Sequence, residues 1–400
     1  MSSRRTFLQQ TAASLAAVAL GVRDLLAQPA AAVKRYLMQG PPGTETTING
    51  KRCLYFGGTS YYTLQNNPEV LKAAHEAIDK YGMHSSTSRS SGGYGNTPLY
   101  DEVESVATEF FGTEDAAYVA SGYLSNIAAA QILHQQKRFD VIFQDATGHY
   151  SIVDFSHALE APVFTYGHSD PDDLARKLRA NLKPGQKPLV LTDGIFPVPG
   201  EIAPVPGLIK ALEPYEGLLW LDDCHAMGVI GPNGRGTYDH YGVKGDRLLF
   251  GGTLSKAIGG HGGIIPTTHA LAEGVRGGHI MAGATMPPSA AAAAGVKGMR
   301  LLMAHPEWRA KLWDNARRLK AGIRQLGFKV SDTHVPVVAF PLKTAKDMER
   351  VHAELMNRGI IIQLSHYVGV GPEGILRMVV FATHTPQQID RLLGELKKLV

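Results

Sequence analysis

An alternation of short apolar runs with helix-patterned segments constrains this chain more than any other feature. From residue 99 the sequence reads helix 99–111, strand 116–119, helix 124–133, strand 141–144, helix 171–182, strand 188–193, helix 208–212 and strand 218–222. Strands joined by helical crossovers run in the same direction, so this order predicts a mostly parallel sheet with helices on both faces. The expected fold class is therefore α/β, a three-layer α-β-α sandwich, with a smaller C-terminal α+β domain after it. Four hundred residues with 44% hydrophobic content are enough to bury a large core in two domains. The expected division is a leader over 1–32, an N-terminal arm over 33–58, a large domain over 59–286 and a small domain over 287–400.

One lysine stands where chemistry would use it. Leu248-Leu249-Phe250 leads into Thr253-Leu254-Ser255-Lys256, with glycine pairs at 251–252, 259–260 and 262–263. A strand that ends in such a turn gathers an amine, two hydroxyls and backbone N–H groups into one small volume. That set suits a phosphorylated aldehyde: the amine forms a Schiff base, and the hydroxyls and amides hold the phosphate. A surface lysine in a flexible loop is the plainer alternative. Upstream, a second apolar run ends in Asp222-Asp223-Cys224-His225. Open α/β sheets bind ligands at the carboxyl ends of their strands, which is where Asp222 falls. Its carboxylate suits a protonated pyridine nitrogen and His225 suits the ring's phenolic oxygen. A solvated acidic turn or half of a metal site are the alternatives, and no Cys/His/Asp cluster at ligand spacing completes the second.

Together these two motifs resemble the fold-type I pyridoxal-phosphate enzymes of aminotransferase class I/II, nearest to the α-oxoamine synthase branch. The resemblance runs from about Tyr55 to the C-terminus. It implies pyridoxal 5'-phosphate (PLP) as cofactor, Lys256 as the Schiff-base lysine and Asp222 and His149 as its catalytic companions. It further implies that Ser121, Gly122, Tyr123, His225, Thr253 and Ser255 bind the cofactor. Asp193 supports the site indirectly. Thr285 reaches the phosphate of a neighbouring subunit, which makes a homodimer with a shared active site the expected assembly. Arg377 binds a substrate carboxylate, for which a planar guanidinium is suited. No metal is expected.

The chain departs from that branch around the substrate. Thr59-Ser60-Tyr61-Tyr62-Thr63 stands where the synthases carry an asparagine-containing Asn-Asp/Asn-Tyr-Leu-Gly element. Asn96-Thr97-Pro98 replaces a histidine, and Phe196-Pro197-Val198-Pro199-Gly200 replaces a hydroxyl-bearing turn. These departures weaken a transfer of the acyl-CoA condensation reaction and leave the Schiff-base machinery intact.

The N-terminus carries Ser3-Arg4-Arg5-Thr6-Phe7-Leu8 followed by an apolar run over 11–20. That order matches a twin-arginine signal peptide whose hydrophobic stretch is too short to span a bilayer. The expectation is export of the folded protein by the twin-arginine translocase to the periplasm, with no stable membrane anchor after processing. Acyl-CoA thioesters are cytoplasmic, so the leader favours an exported aminotransferase acting on a small-molecule or peptide amine, such as a siderophore precursor. An acyl-CoA-dependent synthase and a non-catalytic binding module are the alternatives. A net charge of +4 with scattered charges excludes the basic stripe that nucleic acid requires. Two cysteines, Cys53 and Cys224, exclude a disulfide framework.

Overall fold

The computed structural model describes residues 35–89, 94–243 and 245–400. The signal peptide expected over 1–32 lies outside them. Among the described residues no helix is long and apolar enough to cross a membrane.

A seven-stranded sheet forms the centre. Its strands lie side by side in the order Asp115–Val119, Gly263–Thr267, Leu248–Thr253, Leu218–Asp222, Pro188–Asp193, Val141–Asp145 and Val163–Tyr166. All neighbours pair parallel except Gly263–Thr267, which runs antiparallel to both strands beside it. Successive residues Leu189, Val190 and Leu191, and Leu218 to Leu221, are all buried. Side chains alternate between the faces of a strand, so burial at every position means that both faces are covered. Two strands, Pro188–Asp193 and Leu218–Asp222, have the bounds that their apolar runs predict. The strand Gly263–Thr267 and the helices Tyr150–Ala158 and His269–Gly277 carried no sequence expectation.

The second core gathers around an antiparallel sheet of Val337–Phe340, Ile375–Val379 and Gln363–Ser365. Packing redraws both edges expected for the small domain. Lys51–Tyr55, read from sequence within the N-terminal arm, pairs in parallel with Ile360–Ile361. Its Leu54, with Phe56 just beyond it, enters the small-domain core beside Ile360, Leu376 and Leu396. The helix Ser289–Ala304, read from sequence as the start of the small domain, packs instead on helices Pro68–Tyr81 and Pro98–Phe111. Its Ala292, Val296 and Met299 join the large core. Its small residues also let it approach the turn after Lys256 closely: a side chain at Gly298 would run into the Ile258 carbonyl.

Candidate active site

Five of the six co-directed strands end at Val119, Asp145, Asp193, Asp222 and Thr253, on one edge of the central sheet. The residues at or just beyond those ends line a cavity of about 210 Å³, including Ser121, Gly122, His149, Asp193, Asp222, His225, Thr253, Ser255 and Lys256. The amine and carboxylate singled out from sequence therefore face one space.

Asp222 is held on all sides. Its Oδ2 accepts from Asn126 Nδ2 at 2.8 Å and from the Ser151 hydroxyl at 3.3 Å, and its Oδ1 accepts from the Cys224 backbone at 3.1 Å. The Asn126 carbonyl oxygen accepts from the Trp220 indole at 2.8 Å. An indole only donates, so this bond fixes which way the Asn126 amide faces. Burial by itself raises the Asp222 pKa, yet the charges of Lys256 and His149 and the bonds from Cys224 and Asn126 leave it below the ordinary carboxylate value. Asp193 moves the other way, pushed well up by burial and by Asp222 beside it. Of the two neighbouring carboxyls, Asp222 carries the negative charge.

His149 caps the helix Tyr150–Ala158, its Nδ1 accepting from the Ser151 backbone at 3.1 Å. Its own backbone N–H donates to Asp193 Oδ2 at 2.8 Å. Asp193 thus holds the His149 backbone in place. Burial lowers the His149 pKa.

Opposite these groups, the helix Gly122–Gln135 starts with Ser121 as its cap, the Ser121 hydroxyl accepting from the Leu124 backbone at 3.3 Å. Gly122 lies so close to Thr253 that a β-carbon there would press into the threonine side chain. This contact brings a helix N-terminus, an anion-binding element, against the Thr253 and Ser255 hydroxyls, which bond each other at 2.8 Å. Tyr123 lines the same cavity, half exposed, its hydroxyl donating to Asp154. The Lys256 amine has no hydrogen-bond or ion-pair partner among the described residues, although its charge acts on Asp222. Its turn is clamped by Gln65, whose amide donates to the carbonyls of Ser255 at 3.1 Å and Lys256 at 2.8 Å.

His225 is buried, and its Nδ1 is bonded to the Tyr61 hydroxyl at 2.8 Å. Burial, then the charges of Lys256, Arg377 and His149, drive its pKa well down. Arg377, on the strand Ile375–Val379, donates from Nε to the Pro197 carbonyl at 2.8 Å and from Nη1 to the Gln363 side chain. It is 6% exposed and pairs with no carboxylate among the described residues. The proline-bearing turn that departs from the family pattern acts here through a carbonyl, which any residue supplies. Thr285 lies apart from the cavity, exposed, with a backbone bridge to Ser88.

Asn126, Ser151, Tyr61 and Gln65 belong to this site and escaped sequence reasoning. Asn126 left one trace: with Ser125 it is a polar residue in the buried first half of its helix. The side chains fit PLP. An ionised, buried carboxylate stands across from an unpaired amine, and a helix N-terminus meets two hydroxyls beside it.

Comparisons with known proteins bear on this geometry. The family profile of aminotransferase class I and II matches residues 52–396. The 8-amino-7-oxononanoate synthase of Alkaliphilus metalliredigens is 32% identical over 366 residues, covering 91% of each chain. The serine palmitoyltransferase of Sphingobacterium spiritivorum is 31% identical over 365 residues, covering 90% of each. Among solved structures, Sphingomonas wittichii serine palmitoyltransferase superposes with a TM-score of 0.85 at 26% identity, covering 96% of each chain. The S. paucimobilis serine palmitoyltransferase, solved with PLP and myriocin bound, gives 0.84 at 27% identity, covering 91% of this chain and 92% of that one.

Proposed function

The chain belongs to the aminotransferase class I and II family of PLP-dependent enzymes, and from that premise we propose that it is an α-oxoamine synthase. It would join the α-carbon of an amino acid to an acyl group carried as a CoA thioester, with loss of carbon dioxide and release of CoA. Expectation from the leader alone put transamination first. The relatives reverse that order, because those named above are synthases and acyltransferases that match nine-tenths of the chain.

The observation that carries the amino-acid half of the reading is Arg377, a buried guanidinium without a carboxylate partner among the described residues, set beside Tyr61 and His225. A buried cation of this kind costs free energy unless an anion reaches it, and a substrate carboxylate meets that need bidentately. When bound, PLP supplies an aldehyde for the lysine amine and an electron-accepting ring. Asp222, ionised and fixed by Asn126, Ser151 and the Cys224 backbone, would hold a proton at the ring nitrogen. His149, anchored through Asp193, would pack against the cofactor ring. Lys256, the unpaired amine of the cavity, would hold the cofactor and move a proton to and from the substrate α-carbon. Thr285, exposed outside the cavity, supports a dimer in which it serves the partner's site.

A second reading, transamination of an exported amine, rests on the Ser3-Arg4-Arg5 leader and places the protein in the periplasm after export by the twin-arginine translocase. One experiment separates the two. Holoenzyme is incubated with amino acids, with and without short and long acyl-CoA thioesters, and free CoA, carbon dioxide and the cofactor spectrum are followed. Synthase activity requires CoA release that depends on both substrates and is absent in Lys256→Ala. Conversion of the cofactor to its amine form with no CoA released from any thioester rejects the synthase in favour of transamination.

A further inference from the structure

We infer that Tyr61 is a positioning residue: its phenol fixes His225 with the proton on Nε2, so that one N–H remains available to an acceptor in the cofactor cavity. This rests on the reading of that cavity as the PLP site. Tyr61 is 1% exposed, and its hydroxyl makes one hydrogen bond among the described residues, to His225 Nδ1 at 2.8 Å. A phenol has a single proton to give. With no other acceptor at hand, that proton goes to Nδ1, which must then be the bare nitrogen of a neutral ring. Burial favours this state at both ends, holding the Tyr61 pKa well above its ordinary value and the His225 pKa well below.

The charges acting on the His225 ring come from Lys256, Arg377 and His149, and all of them oppose an imidazolium. The remaining ring proton therefore sits on Nε2, which has no partner among the described residues although His225 lines the cavity. A buried N–H without a protein partner calls for an acceptor from a ligand. The phenolic oxygen of PLP is an electron-rich acceptor of the required kind. A donor to that oxygen would draw charge from it and lower the pH midpoint of the bound cofactor's absorbance.

Tyr61 is itself held from the C-terminal part of the chain, its backbone carbonyl accepting from the Ala382 N–H at 2.8 Å. Ala382 follows the strand that carries Arg377. The donor state of His225 is thereby tied to the element that recognises substrate.

Tyr61→Phe keeps the ring and removes the proton, and two measurements read the result. Histidine nitrogen NMR on the full apoprotein should show His225 protonated at Nε2 in wild type and redistributed toward Nδ1 in the variant. In PLP-loaded protein, the pH midpoint of the near-visible absorbance should rise by about one unit in the variant. A wild-type His225 protonated at Nδ1 overturns the inference, and so does a variant that matches wild type in both tautomer and midpoint. Should the variant fail to fold, the wild-type tautomer alone decides. A tautomer that shifts as expected in a protein that never develops the absorbance band would support Tyr61 while rejecting the PLP reading.

Discussion

Replacing Asn126 with alanine tests whether the buried relay from Trp220 to Asp222 does the work assigned to it. Two bonds are lost, the Trp220 indole to Asn126 Oδ1 and Asn126 Nδ2 to Asp222, both 2.8 Å long and both buried. A buried N–H left without an acceptor costs about 1–3 kcal/mol, and a hydrogen bond to a charged group is worth about 1.5–3 kcal/mol. The sum, roughly 2.5–6 kcal/mol, corresponds in a chain of this size to a fall in Tm of about 5 °C. Asp222 also loses one of the bonds that hold its pKa down, so the acid limb of the activity profile should move up by about one pH unit. Trp220→Phe leaves the bond to Asp222 in place and should lower Tm without moving the acid limb. The double variant should cost about 1 kcal/mol less than the sum of the singles, because the two side chains share a bond. Thermal unfolding and kcat/KM against pH, on all three variants, decide the matter. An Asn126→Ala protein with unchanged Tm and an unchanged acid limb would refute the relay.

Three further outcomes are expected. Arg377→Lys, which cannot present a planar fork, should raise KM for the amino-acid substrate by about tenfold or more with a smaller change in kcat; a KM within twofold of wild type removes Arg377 from carboxylate binding. Gly122→Ala should weaken PLP binding by at least about tenfold, because the new methyl group pushes the helix start away from Thr253; fluorescence titration showing unchanged affinity defeats the assignment. Asp223, fully buried, has its pKa raised by burial from 3.8 to about 7. The folded state therefore binds this proton more tightly than the unfolded chain. The stability it contributes is complete below about pH 4 and is lost as pH rises through about 7, with roughly 4 kcal/mol as the upper bound. Unfolding followed from pH 4.5 to 8 should slope less in Asp223→Asn than in wild type, and identical slopes would remove Asp223 from the balance.

Legibility followed the range of the interactions. Pro188–Asp193 and Leu218–Asp222 could be read from sequence because a strand buried on both faces is a continuous apolar run with a polar stop. Asp222, His225 and Lys256 could be read because each stands within a few residues of such a stop. Gly263–Thr267 was hidden in a glycine-rich stretch with no alternation, and its antiparallel direction depends on strands far away in the chain. Asn126 and Tyr61 were hidden for a related reason, since they meet Asp222 and His225 across 96 and 164 residues. No local spacing records such a meeting. The helix Ser289–Ala304 was assigned to the wrong core because its alanines and glycines carry almost no directional pattern. What places it is the closeness of approach that they permit.

The strand Lys51–Tyr55 sets the timetable of biosynthesis. Made early, it finds its parallel partner only in Ile360–Ile361, and Tyr61 is tied down only when Ala382 arrives. A nascent chain released with its last few dozen residues missing would carry Lys256 and Asp222 yet lack Arg377 and an anchored Tyr61. Catalytic competence therefore comes with completion of the chain, and a C-terminal truncation should disable the site without touching a residue that lines its cavity.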